Sequence, residues 1–234
     1  MLNKVTLILC ALSFLGAIAG TVGANRGFLP ASAGMYLLAL SSLVGMLAAA
    51  CAMTVLFTTK NYPVAMIGLL SLLPFFTVAA LAIQASKFPL INDISTNLED
   101  VPAFVKALEL PENAGRDMAY PEDFKTVVKE HYQGLTALTL DGDPAAVFTK
   151  VRAYAEKHIL HAELTRIDPE KLEIEGVVST RVFRWKDDFI LRVRPAEPGK
   201  CIVDMRSKSR DGKGDLGANA RRIENFFEAL RSAP

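Results

Sequence analysis

The first 92 residues contain no aspartate or glutamate at all. Lys4, Arg26, Lys60 and Lys87 carry the only charges there, and every one of the 25 acidic residues lies at Asp93 or later. A stretch this long with so little charge has no polar face to offer water, so it belongs in a bilayer. Three apolar runs fill it, at about residues 5–24, 34–57 and 63–85. Each is long enough to cross a hydrocarbon core of about 30 Å as a helix rising about 1.5 Å per residue. The breaks at Asn25-Arg26-Gly27 with Pro30, and at Thr58-Thr59-Lys60-Asn61, are short. Residues 1–86 are therefore expected to form an antiparallel bundle of three transmembrane helices, the third kinked by Pro74.

No Asp, Glu, Lys, Arg or His falls inside a span, which weighs against a transporter or channel. Small residues recur at spacing four: Gly16 and Gly20, then Ser41, Gly45 and Ala49. They allow close helix approach, either within the bundle or against another membrane protein, and the first reading is preferred. Lys4 and Lys60 lie on one side and Arg26 and Lys87 on the other, so the positive-inside count is tied. A lone lysine before an apolar run, with the small residues Thr21-Val22-Gly23-Ala24 at its end, resembles an export signal. Whether residues 1–24 stay or are cleaved, that reading puts the rest of the chain on the extracytoplasmic side.

From Lys87 onward 23 basic residues stand against 25 acidic ones. That balance offers no basic stripe for nucleic acid. Cys201 is the only cysteine beyond the apolar runs, so no disulfide closes there. Residues 87–134 read as an extended wrapping segment with a short helix near 124–130. Residues 135–234 read as a soluble α+β domain. It starts with a strand at 135–140, then a helix to His158 with Asp143 as N-cap and Pro144 in the first turn. Strands follow at 161–167, 171–185, 188–194 and 200–206, and a helix capped by Asp215 runs from 216 to about 230. Consecutive strands imply an antiparallel sheet with packed helices. Pairing residue 194 with 200 would put Phe189, Leu191, Val193, Cys201, Val203 and Met205 on the core face, with Asp204 diagonal to Arg192 on the other.

The stretch from Asp204 to Ile223 joins a strand end, a glycine-rich basic loop and a helix start. Such a junction can hold an anion on free backbone N–H groups. Arg206, Ser207, Ser209, Arg210 and Lys213 are the candidate anion ligands, with Arg192, Asn219 and Arg222 beside them. Asp211 and Asp215 oppose this, and the phosphate-loop spacing is absent. The competing reading is an internal network joining Arg206, Arg210 and Arg222 to Asp204, Asp211 and Asp215, and it is preferred. His158 and His161 lack a third ligand, so no metal or cofactor is expected. Asp187 and Asp188 read as turn residues. Trp185 either sits at the bilayer surface or plugs the core.

The run Asp204, Arg206, Ser207, Ser209, Arg210, Gly212, Asp215, Leu216, Gly217, Asn219, Arg222 and Ile223 resembles the closing signature of a family known as domain of unknown function 1499. Asp187-Asp188 and Asn92-Asp93-Ile94-Ser95-Thr96 fit it too, and the resemblance spans about residues 90–231. It implies a domain placed behind membrane helices in bacteria or plastids, and no activity. The expectation is a multi-pass protein of the bacterial inner membrane with a periplasmic domain. Its expected role is a non-enzymatic envelope accessory or scaffold, with the bilayer and other envelope proteins as partners. The alternatives are a binder of lipid or a small anionic ligand through loop 206–215, and, least favoured, an enzyme on an envelope substrate.

Overall fold

A computed structural model describes residues 1–159 and 161–232, so Leu160, Ala233 and Pro234 of the expected 135–234 domain lie outside the described residues. The chain divides into two compact units, residues 1–87 with 180–184, and residues 88–179 with 185–234.

In the first unit, α1 (Leu2–Asn25), α2 (Ala31–Thr58), α3 (Tyr62–Leu70) and α4 (Leu73–Ala85) follow one another. They make three helices long and apolar enough to cross a membrane, the third comprising α3 and α4. Pro74 removes an N–H and its ring excludes the carbonyl four residues back, at Leu70, so α3 ends there. Ser71 turns the break inward and donates its hydroxyl to the Gly45 carbonyl at 2.9 Å. The small residues pack the bundle on itself. A side chain at Gly20 would strike the Gly34 carbonyl and one at Gly45 the Ser71 backbone. Ser13 donates to the Ser41 carbonyl at 2.9 Å. Leucines 12, 15, 43 and 47 stay on the outside, where lipid would meet them.

In the second unit, β1 (Asp93–Ser95), β2 (Leu138–Asp141), β3 (Ala162–Asp168), β4 (Glu173–Ser179), β5 (Lys186–Pro195) and β6 (Lys200–Ser209) form one antiparallel sheet. Its order is β1-β6-β5-β4-β3, and β2 lies on the same edge of β6 as β1. Three helices, α6 (Glu122–His131), α7 (Pro144–His158) and α8 (Ala218–Arg231), bury an apolar core with one face of the sheet. Phe189, Leu191, Val203, Met205, Ile223 and Phe226 are at its centre. This is the α+β arrangement that the strand runs imply. Asp143 caps α7, accepting from the Ala145 N–H at 3.0 Å.

Four local expectations shift. The strand expected over 171–185 ends at Ser179, and residues 180–184 belong to the first unit. Arg194 pairs with Ile202 rather than residue 200, because β5 runs on to pair Pro195 with Cys201 and Gly199 closes a tighter loop at φ +77°. A slip of two residues keeps both faces, so the core set is unchanged. α8 starts at Ala218, after Leu216 and Gly217 turn through positive φ. Asp215 still reaches it, accepting from the Gly217 and Asn219 N–H groups at 2.8 Å. Residues 88–134 contribute β1, a four-residue helix α5 (Lys106–Glu109), a 3-10 turn at Pro111–Asn113 and α6. Residues 96–121 among them form a strap across the sheet face opposite the helices, where Phe104, Ala107 and Met118 pack on Ile190.

Candidate functional site

Strand alternation gives the sheet two unlike faces. Beneath the strap, the buried and half-buried charges are six basic and six acidic. They are Arg166, Arg192, Arg194, Arg206, Lys208 and Arg210, against Asp93, Asp168, Glu173, Glu175, Asp188 and Asp204. Charges of both signs in equal number can be buried only if each finds a partner, and each does.

Asp93 is fully buried and takes two bonds from Arg206, at 3.0 and 2.8 Å, and one from Lys208 at 3.1 Å. The Arg206 guanidinium also donates to the carbonyls of Pro102 (3.1 Å) and Met118 (2.8 Å). It lies between the rings of Phe104 and Tyr120, 4.6 and 5.3 Å from their centroids. Burial lifts the Tyr120 phenol far above its ordinary range, with the charge of Asp93 adding to the effect. Arg210 makes a bidentate pair with Asp188 at 2.9 and 2.7 Å. Burial opposes its charge, but the bonds and charge of Asp188 outweigh that and hold the guanidinium above its ordinary pKa. Asp204 accepts from Arg192 at 2.8 Å and from Arg194 at 2.6 Å. Glu175 accepts from Arg166 and from the backbone N–H groups of Val105, Lys106 and Ala107, each at 3.0 Å, and so holds the start of α5.

The helix side carries a second polar cluster. Ser207 donates to Asn219 at 2.7 Å, and Asn219 donates to Ser209 at 3.0 Å. Arg222 donates to Ser207 and pairs with Asp187. Burial pushes the Asp187 carboxyl up, against the pull of Arg222 and Ser209.

The residues nominated from sequence are thus divided three ways. Arg192, Arg206 and Arg210 lie under the strap; Ser207, Ser209, Asn219 and Arg222 lie on the helix side; Lys213 is exposed on the loop. Arg206, Arg210 and Arg222 are internally paired, but their partners are not Asp204, Asp211 and Asp215; Asp204 serves Arg192 and Arg194 instead. Arg206 takes Asp93, Arg210 takes Asp188 and Arg222 takes Asp187, while Asp211 pairs with Arg116. Sequence reasoning missed Asp93, Glu175 and the Asp187–Asp188 pair as partners. The available signal was alternation: Asp188 continues the polar set of Arg192 and Arg194 along one strand. Among the described residues no group of three or more His, Cys, Asp or Glu is placed to hold a metal.

Two open grooves flank the strap. One, about 440 Å³, is walled by Val101, Phe104, Leu108, Met118 and Tyr120, with Arg206 at its base. The other, about 540 Å³, runs beside β1 and β2 and is lined by Leu98, Tyr132, Leu135, Thr139, Arg194 and Ile202, among others. The Tyr132 hydroxyl is buried there without a hydrogen-bond partner among the described residues. Its phenol is pushed up to about 12, first by burial and then by the charge of Asp215.

Comparison with known proteins gives one family match. The model of a protein family of unknown function, DUF1499, matches residues 93–230. None of the curated proteins matches. Among solved structures, a DUF4468 family protein from Bacteroides ovatus is 11% identical, with a TM-score of 0.23, over 42% of this chain and 85% of that one.

Proposed function

The chain belongs to the DUF1499 family, and from that premise we propose that it is a non-enzymatic accessory protein of the bacterial cell envelope. In this reading the helices hold it in the inner membrane and its sheet domain works on the extracytoplasmic side by contact with partner proteins. The observation that carries it is how the nominated cations are used. Arg192, Arg206, Arg210 and Arg222 direct their donors at internal carboxylates and carbonyls. They brace the domain and leave few donors for a soluble anion, which weakens the ligand-binding alternative. The larger of the two grooves described runs along the edge strands β1 and β2, where Tyr132 and Arg194 stand beside Leu98, Leu135 and Ile202. Tyrosine and arginine over apolar side chains are the usual anchors of protein contacts.

The test is a photo-crosslinking residue placed at Thr136, in this groove, or at exposed Glu170 as control, in the full-length protein in native membranes. One discrete protein adduct from position 136 and none from 170 supports the reading. Lipid adducts alone, or none, from a normally expressed protein would overturn it. The side of the membrane is read separately from Lys213→Cys in intact spheroplasts, where an impermeant thiol reagent labels it only if the domain is outside.

A further inference from the structure

Residues 180–184 lie between β4 and β5 in sequence but belong to the membrane-spanning unit. Asn25, the last residue of α1, donates its side-chain amide to the carbonyls of Arg181 at 2.8 Å and Val182 at 3.2 Å. Phe183 is only 8% exposed, and a β-carbon built on Gly34, near the start of α2, would meet its ring at 3.4 Å. These five residues are therefore fixed to the α1–α2 turn.

The depth of that turn follows from helix length. α1 has 24 residues, which rise about 36 Å, against a hydrocarbon core of about 30 Å. Its last residue stands at the level of lipid headgroups. Arg26, Arg181 and Arg184 are all exposed there, and none has an acidic partner among the described residues. None can come from within this unit, because residues 1–87 and 180–184 contain no Asp or Glu. Outside this unit, eight arginines pair with a carboxylate and only Arg221 and Arg231 lack one among the described residues, so three unpaired arginines at one depth are a local concentration. Val182 (50% exposed) and Phe28 (82% exposed) add apolar surface beside them. Guanidinium groups that fork onto phosphate, with apolar side chains that enter the acyl boundary, are what an anionic membrane surface selects.

We propose that Arg26, Arg181 and Arg184 form a headgroup site for anionic phospholipid at the α1–α2 turn. The site is independent of loop 206–215 and of the groove beside β1 and β2. It uses a segment whose Arg181 lies 156 positions after Asn25 of the turn, so the positive-inside count over short loops does not register it.

The full-length protein, reconstituted in nanodiscs of phosphatidylcholine with a minority of phosphatidylglycerol, tests this by native mass spectrometry of the lipids that stay bound. Wild type should retain phosphatidylglycerol above its bulk share. Arg181→Gln/Arg184→Gln should lower that enrichment by roughly fivefold per arginine, and added salt should lower it in wild type. Arg181→Lys/Arg184→Lys should keep most of it. Arg26→Gln, which leaves the docked segment untouched, should act in the same direction as the glutamine pair and serves if that pair fails to fold. Equal retention of both lipids by wild type, or enrichment unchanged by Arg26→Gln and the glutamine pair, would overturn the proposal.

Discussion

Asp93→Asn tests the strap-side ion pairs most directly. The side chain keeps its shape and loses its charge. Asp93 is fully buried and faces Arg206 with both oxygens and Lys208 with one. Asparagine turns an NH2 group toward one of these donors and leaves two buried cations without a carboxylate. Removing one partner of a buried pair costs about 3–5 kcal/mol. Arg206 keeps its bonds to Pro102 and Met118 and its place between two rings, so the expected loss lies toward the low end, about 3–4 kcal/mol. For a domain of this size that lowers the melting temperature by roughly 6–16 °C. The assay is urea unfolding of the full-length protein in detergent, followed by the fluorescence of its single tryptophan, Trp185. Adding Arg206→Met, which places an apolar chain between Phe104 and Tyr120, should restore part of the loss. Lys106→Ala is the control, since the Lys106–Glu109 pair is exposed and should matter by less than about 1 kcal/mol. A loss in Asp93→Asn no larger than that control would refute the reasoning.

Gly45→Val should loosen the helix bundle, because a β-carbon there meets the Ser71 backbone and the Ser13 hydroxyl; a lower denaturation midpoint of the helical signal in SDS titration checks this. Gly217→Ala should destabilise the second unit by about 1–2 kcal/mol from the left-handed φ alone, with a further loss because the new methyl strikes the Phe88 ring that Arg221 covers at 5.2 Å; urea unfolding reads it. Ultraviolet phenolate titration should show Tyr120 and Tyr132 ionising late. For Tyr132 the folded pKa, about 12, exceeds the ordinary 10. Its contribution to stability is therefore complete below pH 10 and is lost as pH rises toward 12; Tyr132→Phe should flatten the stability profile over that window and leave it unchanged near neutrality.

The parts of this architecture that depend on local rules were readable. Three charge-poor runs announce the spans. Asp143 and Pro144 announce α7, and alternation in β5 and β6 announces two faces. The parts that depend on distant partners were not. Arg206 finds its carboxylate at Asp93, 113 positions earlier in the chain, and no local pattern connects the two. Asp187 and Asp188 follow a tryptophan and a lysine and read as a turn; the strand begins at Lys186 and aims them at opposite faces. β1 is three residues long, too short for a periodicity to show. Pro74 was a clear signal, but its effect falls one turn earlier, at Leu70, where the lost hydrogen bond would have closed.

The hairpin register shows what the polar face adds beyond stability. The apolar residues of β5 and β6 alternate so regularly that a slip of two keeps every one of them in the core. Hydrophobic burial alone therefore cannot separate Arg194 opposite Ile202 from Arg194 opposite Lys200. The charges can. In the observed register Asp204 stands opposite Arg192 and Lys208 opposite Asp188. In the slipped one Lys200 would stand opposite Arg194, and Asp204 would face Ile190 across the strands. Like charges set opposite each other, and a buried carboxylate moved away from its cations, are each penalised. The strap sharpens the choice, because the Arg192 guanidinium that binds Asp204 also donates to the Asp100 carbonyl at 2.7 Å. A buried ionic face adds little net stability compared with well-packed apolar residues. Its effect here is to make one strand pairing, and one path for the strap, better than the neighbours that the apolar pattern leaves open.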